Sequence, residues 1–216
     1  MTDAATTAAD EADTAADDAA DVAHPHLENA GSDGDPDADR DALRLPVARR
    51  LRWLMRLMRF YPPYLGASVR ATAVNETFTT IDVAMPLRLT NRNFFGTHFG
   101  GSLYAMCDPW FVFILYAHLG DDHVVWDRAA RIVFQRPGRG RVTARFHVPA
   151  REIARLRAAA AVERKVEPVY TVDVVDAKGA VVAQIEKTLY VRHKEAHRRR
   201  RASRTNGQSS GDDASR

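Results

Sequence analysis

The stretch that decides the fold reads NFFGTHFGGSLYAMCDP, over residues 93–109. Gly100 and Gly101 stand where a polar loop gives way to an apolar run, which predicts a helix from about Gly100 to His118. Because glycine has no Cβ, another group can approach the backbone closely there. The unpaired N–H groups of a first helical turn favour a negatively charged oxygen. The segment therefore predicts a central helix with an anion-stabilising start.

Asp108 lies two turns after Gly101, within this apolar run. A carboxylate in such a position needs a partner or a function, because an isolated buried charge is costly. Pro109 lacks a backbone donor, so we expect a kink or a loosened helix there. Two interpretations stay open: a carboxylate that does chemistry, and one that hydrogen-bonds a strand or caps the segment after the kink.

Strand patterns surround this helix. Alternation and β-branched or aromatic residues predict strands, and Ala- and Arg-rich residues 151–164 predict a short helix. Because strands flank one apolar helix, we predict an α+β domain whose antiparallel sheet covers that helix. The predicted strands cover 69–73, 81–85, 123–135, 141–148, 168–175 and 180–191.

An amphipathic helix is predicted over residues 46–60, where Leu and Met recur every three or four positions between arginines. It is expected to pack on its own domain, although such a helix can also lie on a membrane. The prolines after Tyr61 end it.

The chain divides into one folded domain and two tails. Residues 1–41 hold thirteen acidic residues and no apolar periodicity, which predicts a disordered acidic tail. Residues 42–194 form the domain, and 195–216 a disordered basic and polar tail. Within 42–191, 22 Lys and Arg face 12 Asp and Glu. This excess indicates an anionic partner or simply an arginine-rich solvated surface.

Cys107 is the only cysteine, which excludes an intramolecular disulfide and fits a reducing compartment. The acidic N-terminus does not resemble a signal peptide, so we expect a cytoplasmic protein without stable membrane insertion. The histidines show no metal-binding spacing, and no metal site is predicted.

The pattern of Asn93, Gly96, Gly100–Gly101 and Asp108 resembles the phenylacetate-pathway type of hotdog thioesterase. The stretches VVWDRAARIVFQRPGRG, from residue 124, and VVAQIEKTLYVRHK, from residue 181, are similar to the thioesterase-like family named after the C-terminal domain of YiiD. The likeness spans about residues 45–194.

The resemblance implies a hotdog fold, a curved antiparallel sheet wrapped around a long central helix, here with an extra N-terminal amphipathic helix. Such domains form homodimers or dimers of dimers, with active sites at the dimer interface. Asp108 would be the base or nucleophile against an acyl-CoA or acyl-carrier thioester. The N–H of Gly101 would polarise the carbonyl, and Asn93 would hold water or the carboxylate. No cofactor is implied beyond coenzyme A as part of the substrate.

The remaining site residues are predicted to bind the substrate. They are Gly96, Thr97, His98 and Gly100 around the helix start, and Arg136 and Arg139 in the turn RPGRGR. Arginine suits the phosphates of coenzyme A, although a solvated turn explains the same residues.

One departure from the pattern affects catalysis. The histidine that usually precedes Gly-Gly is Phe99 here, and His98 is one residue early. One residue turns a helical side chain by about 100°, so His98 does not substitute directly. A non-catalytic acyl or acyl-CoA binding module is therefore the alternative to hydrolysis.

Three further interpretations concern secondary signals. The basic segment 192–204 allows binding to nucleic acid or anionic lipid, but it lacks aromatic residues for base stacking, and no nucleic-acid partner is expected. Asp127 is interpreted as structural, paired with Arg128 or a cross-strand arginine. Lys187 and Tyr190 are interpreted as packing or surface residues.

Overall fold

The computed structural model describes residues 48–196, with side chains from residue 53 onward. The predicted tail 1–41 lies outside the described residues, and so does the predicted tail 195–216 except for its first two residues. None of the described helices is long and apolar enough to cross a membrane.

The N-terminal helix is shorter than predicted and is followed by a second one. Helix α1 (Ala48–Leu57) continues into a 3-10 turn (Met58–Phe60), and α2 (Pro62–Ala67) follows. Pro62 begins α2, a position where its missing N–H leaves no helical bond unmade. Met55 and Tyr64 are buried, so both helices pack on the domain as expected.

The six strands form one antiparallel sheet in the order β1-β2-β4-β5-β6-β3. The two longest strands, β3 and β6, pair with each other at one side of the sheet, where β3 is the edge strand. The strands are β1 (Arg70–Val74), β2 (Thr80–Pro86), β3 (His123–Phe134), β4 (Arg141–His147), β5 (Val169–Val175) and β6 (Val181–His193).

Strand β4 shows why the alternating pattern predicts the sheet so well. Val142, Ala144 and Phe146 are buried, whereas Arg141 and Arg145 are exposed. Since neighbouring strand residues point to opposite faces, one face joins the core and the other meets water.

The central helix is divided into α3 (Gly100–Ala105) and α4 (Trp110–Leu119). Pro109 has no N–H to donate to the carbonyl of Ala105, and the indole Nε1 of the next residue, Trp110, donates to the carbonyl of Met106 at 2.5 Å. The expected kink is therefore a full break. Most of α4 is buried in the hydrophobic core against the sheet, while α5 (Ala150–Val162) covers it with Ile153 and Leu156.

Candidate active site

The loop before α3 is a turn held by one amide. The Nδ2 of Asn93 donates to Thr97 Oγ1 at 2.8 Å and to the His98 carbonyl at 3.3 Å, and its Oδ1 accepts from the Thr97 N–H at 3.0 Å. Gly96 has a φ of +77°, which favours glycine. The amide of Asn93 is thus engaged with its own loop.

A second asparagine, which the sequence pattern did not single out, anchors the same loop. Asn91 is 1% exposed. Its Nδ2 donates to the carbonyls of Ala67 at 2.6 Å and Pro86 at 2.9 Å, and its Oδ1 accepts from the Arg88 N–H at 2.7 Å. Asn91 was missed because it lies in a polar loop without periodicity. In such a loop, the sequence does not distinguish a buried amide from an exposed one.

His98 ties the loop to the arginine turn. Its ring Nε2 lies 2.9 Å from the carbonyl oxygen of Gly140, and its backbone N–H donates to the Gly138 carbonyl at 2.9 Å. Burial lowers the pKa of His98. The structure therefore places His98 beside the turn that carries Arg136 and Arg139, whose side chains are exposed.

The two glycines at the start of α3 lie beneath aromatic rings. A Cβ built on Gly101 would lie 2.5 Å from the Phe99 ring, and one built on Gly100 would lie 3.0 Å from the Phe134 ring. A side chain at either position would therefore displace the ring above it. Phe99 and Phe134 are themselves more than half exposed, at 56% and 54%. Within the described residues, no acceptor pairs with the N–H of either glycine.

Asp108 lies in the break between α3 and α4 rather than inside a helix. Its side chain is 52% exposed, so the carboxylate is not sealed in the core. The break caused by Pro109 thus presents a charged side chain at the surface of an otherwise apolar helix.

Lys187 contacts Asp108 from the sheet. It is fully buried, and its Nζ donates to the backbone carbonyl of Asp108 and lies 3.3 Å from Asp108 Oδ1. The interpretation of Lys187 as a surface residue is therefore wrong, and that of a packing residue is incomplete, because its ammonium also pairs with charged and polar groups. Lys187 shares the inward face of β6 with Ile185 and Leu189, both fully buried. A lysine inside that alternating apolar pattern was the signal that a carboxylate partner lay nearby.

Asp127 completes the cluster. Its Oδ2 accepts from Lys187 Nζ at 2.8 Å, so the expected pairing with an arginine is wrong. Asp127 lies opposite Leu189 at a bulge in β3, which brings it near Lys187 on the same face. Burial raises the pKa of Asp127, the Lys187 ammonium lowers it, and the charge of Asp108 raises it.

The surrounding ionisable groups are neutral. Burial raises the pKa of the Cys107 thiol, which is fully buried in the core. Burial and then the negative charge of Asp108 raise the pKa of the Tyr64 hydroxyl. Asp108 is thus the most exposed charged residue among Asp108, Asp127 and Lys187, and neither Cys107 nor Tyr64 adds a charge beside it.

The fold matches solved structures closely enough to classify it. PA5026 from Pseudomonas aeruginosa, described as of unknown function and "Probable Thioesterase", has a TM-score of 0.59 at 19% identity, with 66% of this chain and 95% of that chain covered. OLEI01261 from Chlorobaculum tepidum, of unknown function, gives 0.55 at 17%, with 71% and 99% covered. A mutant of the thioesterase PA1618 from Pseudomonas aeruginosa gives 0.50 at 14%, with 65% and 92% covered.

At these identities the likeness shows the fold alone, and the molecule has the expected hotdog fold. The chain belongs to the DUF4442 family, described as a domain of unknown function, whose family model matches residues 49–191. No protein of curated function matches its sequence significantly.

Proposed function

We propose that the protein hydrolyses acyl thioesters of coenzyme A or of an acyl carrier protein. The observation that carries the proposal is the half-exposed carboxylate of Asp108, held in the helix break beside Lys187. Asp108 would take a proton from water that attacks the thioester carbonyl, or would attack that carbon directly. The C–S bond then breaks, and the thiolate leaves and is protonated. On the direct route the acyl group remains on Asp108 as a mixed anhydride, which water hydrolyses to release the acid and regenerate the carboxylate.

The N–H groups at the start of α3 would stabilise the oxyanion. Those of Gly100 and Gly101 have no acceptor within the described chain, so a substrate oxygen can take that place. The Phe99 ring covers Gly101 and would have to turn aside. Asn93 would contribute to the site by holding the loop that precedes Phe99.

Two subunits would complete each site. Helical residues rise by about 1.5 Å each, so Gly101 and Asp108 are on the order of 10 Å apart along one chain. One carbonyl cannot touch both groups, and we infer that Asp108 of the partner subunit faces Gly101. The edge strand β3 supports such pairing, because it exposes the large apolar side chains of Trp126, Val133 and Phe134, and the Phe134 ring lies over Gly100.

The pairing is tested with two exposed valines. Val133→Asp, on β3, should convert a dimer to a monomer in analytical ultracentrifugation and abolish turnover, whereas Val162→Asp, on α5, should do neither. A wild-type chain that sediments as an active monomer would contradict the two-subunit site.

The alternative is a module that binds acyl-CoA without turnover, and the Phe99 ring over Gly101 favours it. Wild-type protein and Asp108→Asn are assayed against acyl-CoAs of short to long chain, with thiol release as the readout. Asp122→Asn, another exposed carboxylate, is the matched control. Hydrolysis that Asp108→Asn abolishes supports the enzyme, whereas tight binding with no turnover by wild-type protein supports the module.

A further inference from the structure

We propose that Lys187, with Asp127 as its counter-charge, positions the Asp108 carboxylate for attack on the thioester. The inference rests on the proposed function and adds two residues to it. Lys187 and Asp127 are 60 residues apart in the chain, and Lys187 and Asp108 are 79 apart.

The burial of Lys187 is the first step. Its side chain is 0% exposed, and an ammonium group without water requires charged or polar partners. Its described partners are the carbonyl and carboxylate of Asp108 and the carboxylate of Asp127. Two of these three contacts fix the same residue, Asp108.

The second step is the hydrogen bond between Lys187 and the backbone of the helix break. The Asp108 carbonyl lies two residues before Trp110, the first residue of α4, and accepts no hydrogen bond from a helical N–H of the described chain. By accepting from Lys187, this carbonyl ties the backbone of the break to β6. A fixed backbone restricts the positions that the Asp108 side chain can take, and productive attack requires such restriction.

The distribution of charge is the third step. One ammonium faces two carboxylates, which leaves one negative charge in excess. Asp127 accepts at 2.8 Å and is 28% exposed, whereas Asp108 lies at 3.3 Å and is 52% exposed. Asp127 is therefore the closer counter-ion, and the excess charge is carried by the carboxylate nearer to solvent. Tyr104, whose ring centroid is 5.6 Å from Lys187 Nζ, and the buried Tyr64 add no charge.

A purely structural ion pair is the competing explanation. Such a pair would lower stability when broken but would leave kcat per folded molecule unchanged. Lys187→Met removes the charge and keeps the length, and Ile185→Ala is the matched control, because Ile185 is equally buried two residues earlier on β6. Both variants are compared with Asp108→Asn and Asp127→Asn, at a temperature where circular dichroism shows each one folded.

For Lys187→Met we expect kcat to fall about 100-fold with little change in KM, since a misplaced reacting group costs that much. Asp127→Asn, which can still accept a hydrogen bond, should lower kcat about tenfold. Ile185→Ala should retain kcat. If Lys187→Met retains kcat while Asp108→Asn abolishes turnover, the positioning role is wrong and the proposed function stands. If Asp108→Asn retains turnover, or wild-type protein has none, both are wrong.

The second readout is the pKa of Asp127, followed by carbon NMR of its carboxyl group. Lys187→Met should raise this pKa, because the ammonium that lowers it is gone, and Asp108→Asn should lower it, because a neighbouring negative charge is gone. Opposite shifts support a coupled cluster. An unchanged pKa in both variants would show that the three groups do not interact in solution and would overturn the inference.

Discussion

The polar loop before α3 and the break after it use their side chains in opposite ways. In the loop, the side chains of Asn91, Asn93 and His98 bond backbone groups, and Asn93 also bonds the Thr97 hydroxyl. In the break, Lys187 joins two carboxylates and leaves the more exposed one, Asp108, with a surplus charge. Polar side chains before the helix start thus hold the backbone here, whereas the charged side chains of the proposed site cluster where the helix stops.

The largest expected effect tests the break. Asp108→Asn should lower kcat for acyl-CoA hydrolysis by about 1000-fold, since the loss of a positioned base has an effect of that order. Its unfolding midpoint in urea should stay close to that of wild-type protein, because Asp108 is half exposed. A variant that unfolds readily but retains its kcat would place Asp108 with the structural residues.

The next effect tests the loop. Asn91→Ala should lower the free energy of unfolding by about 3 kcal/mol, because the carbonyls of Ala67, which is buried, and Pro86, which is half-buried, lose their donor. Asn93→Ala, which is half-buried, should lower it by about 1 kcal/mol. Urea titration measures both. If Asn93→Ala lowers kcat strongly with no loss of stability, Asn93 acts in chemistry, and the contrast between loop and break fails.

A smaller effect is expected at the turn next to His98. Arg136→Glu with Arg139→Glu should raise KM for acyl-CoA about tenfold, in a salt-dependent manner. KM for the matching acyl-N-acetylcysteamine, which lacks the nucleotide phosphates, should not change. Equal effects on both substrates would show that these exposed arginines do not bind the nucleotide.

The smallest effect is the pH dependence of stability. Burial lowers the pKa of His98 and of His123 below the ordinary 6.5. The unfolded chain therefore binds protons first, and stability is complete above about pH 6.5 and falls as pH drops below it. His98→Gln with His123→Gln should flatten the fall in melting temperature between pH 7.5 and pH 5.5. A fall as steep as in wild-type protein would contradict the buried neutral state of both rings.

Local patterns predicted most of the architecture. The alternation in β4, the apolar run before and after Pro109, and the glycine pair located the sheet, the central helix and Asp108. Each of these signals lies within a few residues of the chain, where the side-chain period reports directly on burial.

The rest depended on contacts between distant segments. Nothing near Lys187 in sequence shows that Asp108 and Asp127 are its partners, because the sheet order and the bulge in β3 bring them together. The aromatic rings over Gly100 and Gly101 were equally hidden, since Phe134 comes from the edge strand.

The most direct test is the structure of the protein with a thioether analogue of acyl-CoA in which a methylene separates sulfur from carbonyl. We predict that the carbonyl oxygen lies about 3 Å from the N–H of Gly101, with the Phe99 ring turned away. The carbonyl carbon should face Asp108 of the partner subunit, directly or through one water. An analogue bound with its carbonyl remote from both residues, and the Phe99 ring still over Gly101, would contradict the thioesterase site.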